Sequence, residues 1–205
     1  MKKWMLIISG VILFATLVSY EYLPDKIPIH WGISGADRFT QKPYIFAFVF
    51  ISFMFTVGYW IVCYRTPKHD TSGRGMNFFF LLFNILMLVI LFYTIWQSIA
   101  PDSVNAKLIT LPVISAVFMS AGNMMPKLKA NHFIGIRTPW TLGNRLIWYK
   151  THRFSGKLWF FGGLFFLLGF FIPDRLLEGY VVVLGGILIA CPILYSLVCS
   201  LKLND

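Results

Sequence analysis

The sequence predicts an all-α, polytopic membrane protein with six transmembrane helices and an interfacial cytoplasmic helix, and three observations carry that expectation. Of 205 residues, 58% are hydrophobic and only 13% are charged, about half the charge of a soluble domain. Uncharged runs recur at Trp4–Tyr20, Pro43–Tyr64, Met76–Ala100, Leu108–Pro126, Leu158–Pro173 and Gly179–Leu201, most of them near the ~20 residues that cross a bilayer as a helix. None shows the period-two alternation of barrel strands. Lipid admits only helices and closed barrels, because the backbone must satisfy its own polar groups there.

In chain order the spans are expected at about 4–23, 43–64, 76–100, 107–126, 157–173 and 179–201, within a single integral membrane domain over 1–205. An outer loop, 24–42, separates the first two spans, and an inner loop, 127–157, separates the fourth from the fifth. The first run follows a basic Met1-Lys2-Lys3, but no small-x-small cleavage site comes after it, so it reads as a retained anchor. Pro112 is placed in the first turn of its span, and Pro192 lies inside the sixth, where it should kink the helix. Ala116/Ser120 and Gly186/Ala190 form small-xxx-small pairs, and Gly162, Gly163, Gly169 and Gly185 also permit close helix approach. Cys63, Cys191 and Cys199 sit in or at the ends of apolar runs without a CxxC, which points to core residues rather than a metal site. No cofactor is indicated.

Charge sets the expected orientation. Thirteen of the eighteen Lys and Arg residues fall on the side that holds both termini, Arg65–Gly75 and Lys127–Lys157. The positive-inside rule then places both termini in the cytoplasm. The net charge of +10 is accounted for by that face and by contact with membrane lipids, without a nucleic-acid partner. No span has a charge in its middle, and the amides in the spans include Asn84, Gln97 and Asn123. That argues against an ion-coupled carrier, which usually keeps an intramembrane ionisable group.

The two loops carry the candidate sites. In the outer loop, Pro24 and Pro28 force an extended entry, and Gly32 and Gly35 permit a tight turn. His30 and Asp37 can meet across that turn with Trp31 covering them. Two readings stand side by side: a binding corner, or a hydrogen-bonded brace that pins the first two helices, with Trp31 as a headgroup-level anchor. In the inner loop, Gly135 suits an unusual φ, and Thr138 can cap a short helix with Pro139 at its first position, leaving Trp140 near the interface. Asn144, Trp148, His152 and Gly156 recur every four residues and share one helical face, with Arg145, Lys150, Arg153 and Lys157 as cationic surface. Such a helix is expected to lie along the inner leaflet. It is either a positive-inside surface with aromatic anchors or a docking platform for a cytoplasmic partner or an anionic head group.

An enzyme is hard to build from these parts. Between Ser103 and Pro173 there is no Asp, Glu or Cys, so the inner loop lacks paired carboxylates and a thiol nucleophile. The only alternative groups are His30/Asp37 and His132/Arg137/His152, which would have to serve a membrane enzyme or a lipid-handling protein.

Pro28-Ile29-His30-Trp31 followed by Gly35 and, one residue closer to the glycine than in the pattern, Asp37 resembles a P-x-H-W-x-x-x-G-x-x-D domain found at the start of many bacterial membrane proteins. The stretch from Asn131 through Gly135, Arg137, Thr138, Pro139 and Trp140, with Asn144, Trp148, His152, Arg153 and Gly156 downstream, resembles the signature of the SdpI family. Length, span number and motif order agree as well, so the resemblance covers essentially the whole chain. It implies a non-enzymatic immunity protein of the bacterial cell membrane, acting against a secreted, membrane-active toxin peptide. It also implies a signalling role in which a small helix-turn-helix repressor is held at the cytoplasmic face.

Overall fold

The computed structural model describes residues 2–32, 35–65, 73–101, 105–131 and 134–203. They fall into two compact units, Met1–Ile109 and Thr110–Asp205. Among the described residues, six helices are long and apolar enough to cross a membrane. The all-α, multi-pass architecture is therefore the one that composition implies.

The amino-terminal unit is built from α1 (Lys2–Tyr20), α2 (Phe46–Arg65) and α3 (Gly73–Ile99). Phe14, Phe50, Trp60 and Phe92 are exposed on these helices, as lipid-facing side chains are. Inside, Ile12, Leu23, Ile27, Ile45 and Leu91 form the apolar core. Asn84 is fully buried among hydroxyls that sequence inspection did not group with it. Its Oδ1 accepts from Ser52 at 2.6 Å and from Ser9 at 3.3 Å, while Ser9 also contacts Ser52 and Thr56 at 2.9 Å each. The Asn84 amide donates to the Phe80 carbonyl. One amide thus joins all three helices, each interhelical bond contributing about 0.6 kcal/mol on average in a membrane.

The outer loop is more regular than expected. It forms an antiparallel hairpin of β1 (Lys26–Gly32) and β2 (Gly35–Gln41), paired from Lys26↔Gln41 to Gly32↔Gly35. The register slips around His30, which stands opposite Arg38 instead of Asp37. Gly35 has φ of 111°, which a residue with a Cβ rarely adopts. Buried Ile27 plugs the hairpin into the core, and Lys42 donates its amide to the Asp25 carbonyl at the hairpin's base. A 3-10 turn, Lys42–Ile45, with Pro43 near its start leads into α2.

The carboxy-terminal unit contains α4 (Lys107–Met124), the five-residue α5 (Pro139–Gly143), α6 (Arg145–Leu168) and α7 (Asp174–Leu201). Three expectations need correction. The helix after Gly143 does not lie separately along the interface: α6 runs unbroken from Arg145 into the fifth span, so the helix of that span begins well before 157. Basic residues mark where lipid contact begins, not where a helix begins, and no Pro interrupts this segment. Helix α7 likewise starts at Asp174 instead of 179, because charged residues at a helix start are no obstacle to helix formation. Pro112 is inside α4, beyond its first turn.

Glycine packing is concentrated on α6. A Cβ on Gly156 would come within 2.6 Å of the Pro126 ring and 2.9 Å of the Gly122 carbonyl, so this pair sets how closely α4 and α6 approach. Gly162 abuts Leu188, and Gly163 abuts Met119 and the Ser115 carbonyl. Gly185 and Gly186 have open space beside them, so the expected Gly186/Ala190 pair meets no close neighbour among the described residues of its unit.

Orientation is tested by accessibility. In a variant lacking Cys63, Cys191 and Cys199, single cysteines at exposed Asp25 and exposed Lys150 should label from opposite sides of intact cells, Asp25→Cys from outside. Labelling of both by an impermeant reagent contradicts the orientation.

Candidate functional site

Two groups of side chains match the candidate residues, and each is a construction within its own unit. In the hairpin, His30 Nδ1 and Asp37 Oδ1 are 2.6 Å apart, and both side chains are exposed. The hydrogen bond to His30 holds the Asp37 carboxyl below its ordinary pKa, with the His30 charge and Arg38 adding to it. A carboxylate lowered in this way stabilises the fold above its unfolded pKa, and the effect fades as pH falls through the lowered value. Exposure to water keeps the contribution small. Trp31 turns away from this pair. Its ring packs on Tyr93 of α3 at 4.7 Å, and its buried indole N–H has no partner among the described residues. Between the hairpin and the end of α3 lies a cleft of about 200 Å³, lined in part by Lys26, Phe39, Gln97 and Ser98.

The inner segment is held by hydrogen bonds at nearly every candidate residue. Asn131 folds its side chain back to accept from the Ile134 amide at 2.9 Å and to donate to the Lys129 carbonyl. Gly135 follows with φ of 120°. A Cβ there would collide with His152 and come within 3.1 Å of the Trp148 ring. His152 is buried and stacked on Trp148 at 4.0 Å. Its Nδ1 donates to the Trp148 carbonyl at 2.8 Å, and its Nε2 accepts from the Ile136 amide at 3.1 Å. That donor and acceptor pattern requires the neutral ring. Trp148 in turn donates its indole N–H to the Leu128 carbonyl at 2.9 Å.

The short helix is fastened in the same manner. Thr138 caps α5 in a reciprocal box with Thr141, and Pro139 opens it. Thr141 Oγ1 also donates to the Ile136 carbonyl at 2.8 Å. Trp140 donates its indole N–H to Ser196 Oγ on α7 at 2.7 Å. Asn144 caps α6, accepting from the amides of Leu146 and Ile147. Of the four residues expected on one face, Trp148, His152 and Gly156 are buried, while Asn144 is exposed as the cap. Arg137 is exposed, and Arg153 donates to Tyr149 Oη at 2.5 Å.

Sequence reasoning missed Thr141, Ser196, Gly122 and Tyr149. The three-residue spacing from Thr138 to Thr141 carried a capping signal, whereas nothing local to Ser196 marks it as the anchor of Trp140. His132 lies outside the described residues. Both ring nitrogens of His152 are engaged, so the His132/Arg137/His152 grouping loses its second imidazole as a free acid or base. Among the described residues, no three of His, Cys, Asp and Glu come together as a metal site.

Immunity protein SdpI of Bacillus subtilis (strain 168) is 28% identical to this chain over 205 residues, covering 98% of this chain and 95% of the relative. The SdpI/YfhL protein family matches residues 127–196. The chain is thus similar to the SdpI family through this segment and to an immunity protein named for it along nearly its whole length. The matched segment holds the whole fastened loop together with Ser196, its anchor on α7. Residues 7–56 match a domain of unknown function (DUF1648), and this stretch contains the hairpin with His30 and Asp37. No solved structure matches.

Two substitutions test the inner construction. Gly135→Ala forces a Cβ into the His152 ring at a left-handed φ, and His152→Phe keeps a ring but removes both hydrogen bonds. Each should lower stability in detergent by about 1–3 kcal/mol. The double variant should lose less than the sum, because both act on one contact. Unchanged melting of either single variant contradicts this geometry.

Proposed function

We propose that this chain is a non-enzymatic membrane immunity protein that protects its cell from a secreted, membrane-active toxin peptide. The observation that carries this reading is the relationship to an immunity protein along nearly the full length of both chains. The toxin meets the protein from the lipid and from the outer face, where the hairpin with its exposed His30–Asp37 pair and neighbouring cleft offers a shaped surface. The inner segment, from Asn131 to Gly156, serves as the cytoplasmic platform that holds a small helix-turn-helix repressor once toxin is present. Its many internal hydrogen bonds support that role, since a preorganised surface loses less entropy on binding a partner. The tethered His152 ring gives no support to a membrane enzyme.

The test is survival. A toxin-sensitive Bacillus host lacking its own SdpI-type gene is given this protein and challenged with medium from a toxin-producing strain. Protection at normal membrane abundance is expected, and its absence overturns the proposal. Arg137→Lys and Arg137→Ala address the platform separately, because the planar guanidinium of Arg makes contacts that an ammonium cannot reproduce. Both variants should accumulate normally and lose repressor capture to nearly the same degree. Wild-type behaviour of Arg137→Lys would reduce the segment to a generic basic surface.

A further inference from the structure

We propose that the exposed face of α6 from Tyr149 to Lys157 is a binding site for the headgroups of anionic phospholipids. This goes beyond the immunity reading and rests only on the membrane-spanning architecture. Lys150, Arg153 and Lys157 are exposed and spaced three and four residues apart, so they lie on one face of the helix. The same face continues through Phe160, Phe161, Leu164 and Leu168, all exposed and wholly apolar. The opposite face, with Thr151, His152, Ser155 and Gly163, is buried in the protein. Along a single helix the outward surface thus changes from cationic to hydrocarbon-like between Lys157 and Phe160.

Length places that change at the headgroups. From Leu158 to the end of the 3-10 turn at Phe171 the apolar stretch spans roughly 22 Å. The hydrocarbon core is about 30 Å thick. The bilayer must thin beside α6, or Lys157 and Arg153 must reach up to the phosphates along their own stems. The direction suits them, because helical side chains lean toward the helix amino terminus, which here is the interface side. Arg153 is already aimed: it donates to Tyr149 Oη and lies over that ring at 5.4 Å, which leaves its other N–H donors for phosphate oxygens.

Among the described residues of this unit, nothing anionic lies near the face. Between residues 105 and 203 the only carboxylates are Asp174 and Glu178, at the start of α7. The start of α6 packs against the other end of α7, with Phe154 stacked on Tyr195 at 4.2 Å. Asp174 is about 30 Å away from there along the α7 axis. A soluble acidic partner would satisfy the charge but not the depth, since Lys157 borders directly on the lipid-facing strip.

The test uses the full-length protein purified in neutral detergent. Retained lipid is counted by native mass spectrometry after titration with phosphatidylglycerol, phosphatidylcholine or inorganic phosphate. Phosphatidylglycerol should be preferred over phosphatidylcholine by roughly tenfold or more, as expected for three basic side chains at an anionic surface. The combined Lys150→Gln, Arg153→Gln and Lys157→Gln variant should lose that preference, while Lys26→Gln with Arg38→Gln on the hairpin should keep it. If the triple variant fails to accumulate, the wild-type preference must still collapse at high salt. Equal retention of the two lipids, a salt-independent preference or an unaffected triple variant overturns the proposal. Displacement by inorganic phosphate or by soluble polyglutamate at matched charge concentration would overturn it too, reassigning the surface to free anions or to an acidic protein.

Discussion

The imidazole of His152 donates to the Trp148 carbonyl one turn back in its own helix and accepts the Ile136 amide from 16 residues earlier in the chain. The rest of the inner segment can be followed outward from that ring. Because the ring lies against the backbone at residue 135, only glycine fits there, and its φ of 120° turns the chain toward α5. The Ile136 carbonyl in turn accepts from Thr141 Oγ1, the same hydroxyl that closes the capping box with Thr138. That box orients α5 so that Trp140 reaches Ser196 on α7. The loop is thereby fixed to two transmembrane helices by directional contacts, each of which satisfies a polar group that would be costly to leave unpaired near lipid.

The amino-terminal unit meets the same constraint in another way. Its helices are apolar all round, so hydrophobicity alone gives them no preferred face toward one another in lipid. Asn84, with Ser9, Ser52 and Thr56, supplies that preference through hydrogen bonds that form in only one rotational setting of the three helices. The hairpin adds a plug, Ile27, in the apolar core and an aromatic contact between Trp31 and Tyr93. In both units the sparse polar side chains specify the arrangement, and the abundant apolar ones only permit it.

This division explains what could be read from the chain alone. Apolar run length is a local property, so the six spans were legible, and so were the Thr138 cap and the meeting of His30 with Asp37. The start of α6 was not, because the Lys and Arg residues that ended the apolar run change the helix's solvent and leave its backbone unaltered. The hairpin was read as a loop, since Pro28 and two glycines in a short stretch obscure strand alternation. Partners far apart in sequence, such as Asn84 with Ser9 or Trp140 with Ser196, leave no periodic trace. Gly186 and Ala190 show the converse: small residues at a packing spacing that face open space among the described residues of their unit.

The central claim is that the inner segment is a preformed structure latched to α6 by His152, and backbone hydrogen exchange at Ile136 tests it most directly. In the wild-type protein the Ile136 amide, although it lies outside any helix, should exchange as slowly as amides within the adjoining turns of α6. In His152→Phe it should exchange at the rate of an open loop while the α6 amides stay protected. Fast exchange at Ile136 in the wild type, or protection that survives loss of the imidazole, would contradict the account.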